Sequence, residues 1–249
     1  MRIAILIKRT PDTEMRFSIA ADGKSLDGTG LKHDISDFDG YAVEVALRLI
    51  EQHGGETVVI TLGPDTAQEQ LRKALSMGVD RAVQLKADAV PFDNFAIASA
   101  LASELKDGGF DLILFGRQAT DSAAGAVGVM TATLLGLPCV SAISHLEIAD
   151  GKGTAKRALE GAVEVVEFPL PAVLTIDEGI ARPRLPALKG IMAAKKKPID
   201  VKPAALGDIR LTVEQMQLPP ERAPGRIVGE GADAVPELVR LLQTEAKVL

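Results

Sequence analysis

Two features predict an α/β fold, a doubly wound and mostly parallel sheet, for the first 140 residues of this sequence. Short apolar, β-branched runs alternate with longer amphipathic segments from the N-terminus onward, which reads as successive βαβ units. The runs are apolar enough to be covered on both faces, as the strands of a parallel sheet are. No period of about 20–50 residues repeats, so a solenoid is not indicated.

The first strand is Arg2-Ile-Ala-Ile-Leu-Ile7. Residues 16–34 interrupt the alternation: Asp22-Gly23 and Asp27-Gly28 sit between short β-like pieces, so an inserted hairpin or ribbon is expected. A helix follows over about 37–53, then strand 57–62, helix 66–77, strand 80–86, helix 93–106, strand 111–116 and helix 122–135. Residues 138–176 continue as β-like segments around Asp150-Gly151-Lys152-Gly153 and Glu160-Gly161, expected as antiparallel additions at the sheet edge. Pro171-Ala-Val-Leu-Thr-Ile176 is a buried strand bounded by proline.

The chain changes character after that strand. From Gly179 to Pro198 there is no apolar period and no acid, while Arg182, Arg184, Lys189 and Lys195 to Lys197 supply a basic face, so a protruding loop with a short helix near Leu188 to Ala194 is expected. An extended arm through Pro219-Pro220 and an amphipathic helix from about Asp233 to Lys247 complete the chain. Ten of the 14 prolines and none of the eight aromatic residues lie after Phe168, so the last third lacks the large side chains for a core of its own. The expected organisation is an α/β domain over 1–180, a protruding loop over 181–197 and an arm over 198–249 that lies on another surface.

At 249 residues and 47% apolar content the chain holds one substantial core with an appendage. A net charge of −6 argues against general nucleic-acid binding, which needs a basic face. One cysteine, Cys139, gives no disulfide framework or thiolate metal site, and His33, His53 and His145 have no metal-ligand spacing. No apolar run approaches the roughly 20 residues that span a bilayer. The first strand begins at once, leaving no room for a leader, so a cytoplasmic location is expected. No nucleophile–base pair or carboxylate pair stands out, which is the profile of a binding or docking subunit.

The strongest ligand signal follows Asp111-Leu-Ile-Leu-Phe-Gly116. Arg117-Gln-Ala-Thr-Asp-Ser-Ala-Ala-Gly-Ala-Val-Gly128 then leads into a helix, and a strand end followed by small residues and a helix N-terminus suits a phosphate. Gly125 and Gly128 let a ligand approach the backbone, Thr120 or Ser122 can donate to it, and Asp121 stands where an N-cap would. The plainer reading is a small-residue helix packed tightly on the sheet, since neither GxxxxGK[ST] nor GxGxxG is present. Lys8-Arg9-Thr-Pro-Asp12 and Ser36-Asp-Phe-Asp39 lie on the same sheet edge, where Ser36 or Asp39 can equally cap the following helix and Phe38 staple it.

Ordered motifs then identify a resemblance. Ala155-Lys-Arg-Ala-Leu-Glu-Gly161 with Glu164, Val166 and Pro171-Ala-Val-Leu-Thr175 resembles the signature region of the beta subunit of electron transfer flavoprotein. Lys8-Arg9, Lys32-His33, Ala42-Val-Glu44, Ala74-Leu-Ser-Met-Gly-Val-Asp80, Ile191-Met192, Lys195-Lys-Lys-Pro198 and Pro219-Pro220 extend it over the whole chain. The resemblance implies a Rossmann-like domain of the adenine nucleotide alpha hydrolase-like type. It also implies a heterodimer with an alpha subunit that holds most of a redox-active FAD and on which the C-terminal arm and helix pack. Such a carrier, not a catalyst on its own, takes electrons from acyl-CoA or related dehydrogenases of fatty acid oxidation to an acceptor such as a membrane quinone oxidoreductase.

By the same resemblance an AMP contacts Leu6, Ser36, Asp37, Phe38, Asp39, Leu62 and Asp121, Ser122, Ala123, Ala124, Gly125, Ala126, Val127, Gly128, Val129, Met130, Thr131 and Ala132, with Phe38 also near the partner's flavin. The basic segment becomes a partner-recognition loop through Pro183, Arg184, Leu188, Ile191 and Met192. Gly125-Ala-Val-Gly128 and Gly116-Arg117-Gln118 instead look like the electron-bifurcating branch, with a second FAD in the AMP site, although Ser122-Ala123-Ala124 departs from that branch. Ala162 and the charge of Arg182 depart from the usual pattern. A stand-alone nucleotide-binding sensor is the alternative of another class.

Overall fold

The computed structural model describes residues 1–222 and 224–249. Its strands and helices, in chain order, are β1 (Arg2–Leu6), β2 (Arg9–Pro11), β3 (His33–Ile35), α1 (Asp37–His53), β4 (Glu56–Gly63), α2 (Gln68–Met77), β5 (Arg81–Lys86), α3 (Asn94–Leu105), β6 (Leu112–Gly116), α4 (Val127–Leu135), β7 (Cys139–Ile143), β8 (His145–Ala149), β9 (Lys152–Leu159), β10 (Ala162–Pro169), β11 (Ala172–Ile176), α5 (Leu188–Ala194), β12 (Ile199–Pro203) and α6 (Val235–Leu241). Seven strands form the central sheet in the order β12-β5-β4-β1-β6-β11-β7, and each neighbouring pair runs parallel.

Alternation along each strand divides the core into two layers. Ile3, Ile5, Leu112, Leu114 and Leu174 pack with Ala42, Val43, Leu71 and Leu75 of α1 and α2. Ala4, Leu6, Ile113, Phe115 and Val173 pack with Leu101 and Leu105 of α3 and Ala132 of α4. Burial of each large side chain contributes about 1.5–3 kcal/mol, and the period of two sends adjacent residues to opposite helix layers. The sheet grows outward from β1 through β4 to β5, then returns to β6 on the other side of β1. The switch point between β1 and β6 leaves a crevice outside their carboxyl ends.

The ribbon expected over residues 16–34 is present but wider, starting at residue 9: β2 pairs antiparallel with β3, and an Ile19–Leu26 bridge closes over the Asp22 turn. Three expectations are corrected. The segments between 138 and 176 do not add antiparallel strands to the main sheet; β7 and β11 are parallel members of it, while β8, β9 and β10 form a separate antiparallel sheet. The helix expected from residue 122 begins at Val127, because Ala123 (φ 49°) and Gly125 (φ 60°) are left-handed and interrupt a helical path. The sequence reading had no strand at β12, a polar, proline-ended edge strand beside β5.

By its internal contacts the chain divides into Met1–Met216 and Gln217–Leu249. Within the first unit, a segment after β12 is tied back by one carboxylate. Asp93 accepts the N–H groups of Phe95 and Ala96, capping α3, and also those of Arg210 (2.6 Å) and Leu211 (3.1 Å). Four donors on one carboxylate hold Asp93 below the usual range, the Arg210 N–H foremost. The second unit carries a short 3₁₀ turn at Ala232–Ala234, α6 and a π-helical turn at Leu242–Ala246, with an Arg226–Glu245 ion pair.

Candidate functional site

The crevice at the switch point is a cleft floored by strand ends. Leu6 ends β1 and Ile7 and Lys8 follow it, Ile60 and Leu62 belong to β4, and Phe115 and Gly116 end β6 with Arg117 next. Val90, Asn94, Ile97 and Leu101 form one wall, and the loop from Gln118 through Gly128 forms the other. The inner wall is apolar and the rim polar, the usual make-up of a small-molecule site.

Asp39 is the hinge pin of this arrangement. It is 6% exposed, and its carboxylate accepts the N–H groups of Lys8 (2.7 Å) and Gly116 (3.1 Å), joining α1 to the ends of β1 and β6. Burial pushes its pKa up to about 7, against the opposing pull of those two hydrogen bonds and the Lys8 charge. Gly116 is required beside it: a Cβ there would stand 2.4 Å from the Asp39 Oδ1. Ser36 works on the other wall. Its hydroxyl donates to the Gln118 carbonyl (3.2 Å) and accepts the Thr120 N–H (3.3 Å).

These contacts correct the simpler reading of both residues as helix caps. Ser36 stands at the N-cap of α1 without a side-chain cap bond, and Asp39 spends both oxygens on neighbouring strands. Asp121 does not cap α4 either, since the left-handed turns place it outside the helix. It pairs instead with the Lys8 ammonium at 2.7 Å. The N-cap of α4 is Ala126, which offers no side-chain acceptor, so the first-turn N–H groups face the cleft mouth without one. Gly128 brings that turn down onto Phe115 and Thr175, where a Cβ would meet atoms at 2.9–3.3 Å.

Of the residues expected to hold a nucleotide, Leu6, Asp39, Leu62, Ser122, Ala124, Gly125, Ala126, Val127 and Gly128 line the cleft together. Ser36, Asp121 and Ala123 shape its wall without lining it. Thr131 and Ala132 are buried behind it, Thr131 donating to the Val127 carbonyl, while Val129 and Met130 lie farther along α4. Asp37 is exposed at the start of α1. Phe38 lies under the Arg117 guanidinium (4.9 Å to the ring centroid), which also pairs with Asp177 at 3.0 Å. The reading missed the Val90–Leu101 wall; the signal was available, because the start of α3 follows β5 on the same sheet edge.

The basic segment is fixed at both ends. Arg184 forms a fork onto Glu44 (2.8 Å) and reaches Glu51, both on α1. Burial alone raises the Glu44 carboxyl, but hydrogen bonds from Arg184 and Arg48 hold it below the usual range. At the other end Gly190 lies so close to α2 that a Cβ would stand 2.4 Å from the Ser76 carbonyl oxygen. Arg72 donates to the Ala194 carbonyl (2.6 Å) and Lys197 to that of Val79 (2.6 Å). Between these fastenings Leu185, Leu188, Ile191 and Met192 are exposed, Leu188 by 76%. Pro183 lies beside Gly40 of α1.

Among the described residues no cluster of side chains could hold a metal ion, and no helix is long and apolar enough to cross a membrane. The family model of the electron transfer flavoprotein domain matches residues 25–206. Over their full lengths the chain and the electron transfer flavoprotein subunit beta of Bacillus subtilis (strain 168) are 40% identical. The subunit of the same name from Syntrophomonas wolfei is 37% identical over all of this chain and 98% of its own length. That of Bradyrhizobium diazoefficiens is 34% identical over the full length of both chains.

Proposed function

The chain belongs to the electron transfer flavoprotein family, matching its beta subunits end to end, and on that premise we propose that it works in the cytoplasm as half of an electron-carrying heterodimer. Its partner is an electron transfer flavoprotein alpha subunit, which holds the FAD. Electrons come from acyl-CoA or related dehydrogenases and leave to an acceptor such as a membrane quinone oxidoreductase. The cleft of this chain holds a structural AMP.

One observation carries the nucleotide reading: an apolar slot at the switch point ends at a helix N-terminus with no side-chain cap. Leu6, Leu62 and Ile97 offer a dry surface to a base and ribose, and Ser122 with the first-turn N–H groups of α4 offers donors to a phosphate. Ser36 and Asp39 hold the two walls at their spacing, and Thr131 and Ala132 seat α4 on the sheet. AMP supplies charge and shape here and no redox chemistry. Partner recognition falls to the segment around Pro183 and Arg184, with Leu188, Ile191 and Met192 as its exposed apolar contacts; of residues 198–249, the first part is fastened within this chain by β12 and Asp93, and the part from Gln217 onward packs on the alpha subunit.

The test is the nucleotide content of the chain purified with its alpha subunit, released by denaturation and counted per heterodimer. One FAD with one AMP is the expected result; a heterodimer without flavin would overturn the carrier reading. A second reading, a bifurcating flavoprotein with FAD in the AMP site, is favoured by a further cavity that continues the cleft. Two FADs without AMP would establish it.

A further inference from the structure

Joined to the cleft through Lys8, Leu62, Val90, Asn94, Ile97 and Ser122, a second cavity opens between the β2–β3 ribbon and the start of α3. Its charged groups are unequal in what they have left to offer. Lys8 and Asp121 are paired with each other, and Asp88 is exposed. Burial, and then the neighbouring charge of Arg9, holds His33 below the usual imidazole range. Arg9 differs from all of them. Its Nε is shut off from solvent with no hydrogen-bond partner among the described residues, and Glu69 acts on it only at a distance. A guanidinium keeps its charge at neutral pH even when burial lowers its pKa. The rest of the Arg9 guanidinium lines the cavity, with no side-chain hydrogen bond or ion pair among the described residues, so its charge is left for an acceptor from outside the chain.

We propose that this cavity is an anion subsite in which Arg9 takes a phosphate group beyond the one bound at α4. The inference rests on the nucleotide reading of the adjoining cleft. A planar, forked donor suits phosphate, and the residues shared by the two cavities form a continuous path from one phosphate position to the next. The group comes either from the nucleotide itself, as the distal phosphate of a diphosphate, or from free inorganic phosphate beside AMP.

The experiment is calorimetry on the heterodimer stripped of nucleotide, with AMP, with ADP, and with AMP in the presence of inorganic phosphate. ADP is expected to bind at least about tenfold tighter than AMP, or phosphate to tighten AMP by as much, on the scale of one charge-assisted hydrogen bond. The first result assigns the group to the nucleotide, the second to the free anion. In Arg9→Gln that advantage is expected to disappear, while Arg9→Lys retains part of it. Arg9→Met, which deletes the orphan donor, is expected to melt no lower than the parent in the nucleotide-free state. The proposal is overturned if AMP binds and neither ADP nor phosphate gives an advantage, if the advantage survives in Arg9→Gln, or if Arg9→Met melts markedly lower. Binding of no adenine nucleotide would overturn the nucleotide reading itself and the subsite with it.

Discussion

A carboxyl group that accepts two backbone N–H bonds ordinarily ionises easily, yet Asp39 is pushed up to about 7 because burial outweighs both bonds and the nearby Lys8 charge. The folded state therefore holds a proton that the unfolded chain has released between about pH 4 and pH 7. The stabilisation linked to Asp39 is complete below the unfolded pKa and is lost as pH rises through that window. At most about 4 kcal/mol is at stake. Asp39→Asn removes the titration, so the parent is expected to lose stability relative to the variant from pH 5 to pH 8. Thermal melts of both at several pH values test this; a difference that stays constant with pH would show that Asp39 ionises normally. Sequence alone placed Asp39 at the sheet edge but offered helix capping as its role, because its partners Lys8 and Gly116 lie 31 and 77 residues away.

At the scale of elements, the basic segment is legible as a loop but not as a fastened one. Its charge run marks protrusion, whereas the Arg184–Glu44 fork spans 140 residues and leaves no local pattern. Arg184→Ala would leave the buried Glu44 with Arg48 alone, a loss of about 1–3 kcal/mol. Denaturant unfolding measures it, and an unchanged midpoint would remove Arg184 from the anchoring role. Gly190→Val forces a side chain into the Ser76 carbonyl and is expected to lift α5 from α2. Protease cleavage between Arg182 and Lys197 should then quicken several-fold; the parent's cleavage rate in the variant would contradict the close packing. The same contrast explains α4. The small-residue run revealed a helix after β6, but the left-handed Ala123 and Gly125 delayed its start to Val127, and an alanine in that conformation gives no warning in sequence.

For the whole molecule, the alternation of apolar runs was sufficient for the parallel sheet, because strands covered on both faces must be apolar throughout. It was insufficient for the segments that cross between β7 and β11, where half-exposed strands pair with one another instead of with the sheet. The proposed division of labour, with electron carriage in the heterodimer and docking through the exposed apolar residues of α5, makes one kinetic prediction. Leu188→Ala is expected to slow reduction of the heterodimer by its dehydrogenase about tenfold or more, as truncation of an interface anchor does, with flavin content unchanged. Stopped-flow reduction at the parent's rate would take Leu188 out of the docking surface.

Asp93 adds a consequence for the order in which the chain is made. One of its oxygens is satisfied within three residues, as soon as α3 forms, but the other waits for Arg210 and Leu211, more than a hundred residues later. At about 5–20 residues per second of synthesis, that interval lasts on the order of ten seconds. During it the α/β layers can assemble on the ribosome while the segment that will cross the edge of α3 is still being translated, so this fastening of the first unit is also among the last to be read from the message.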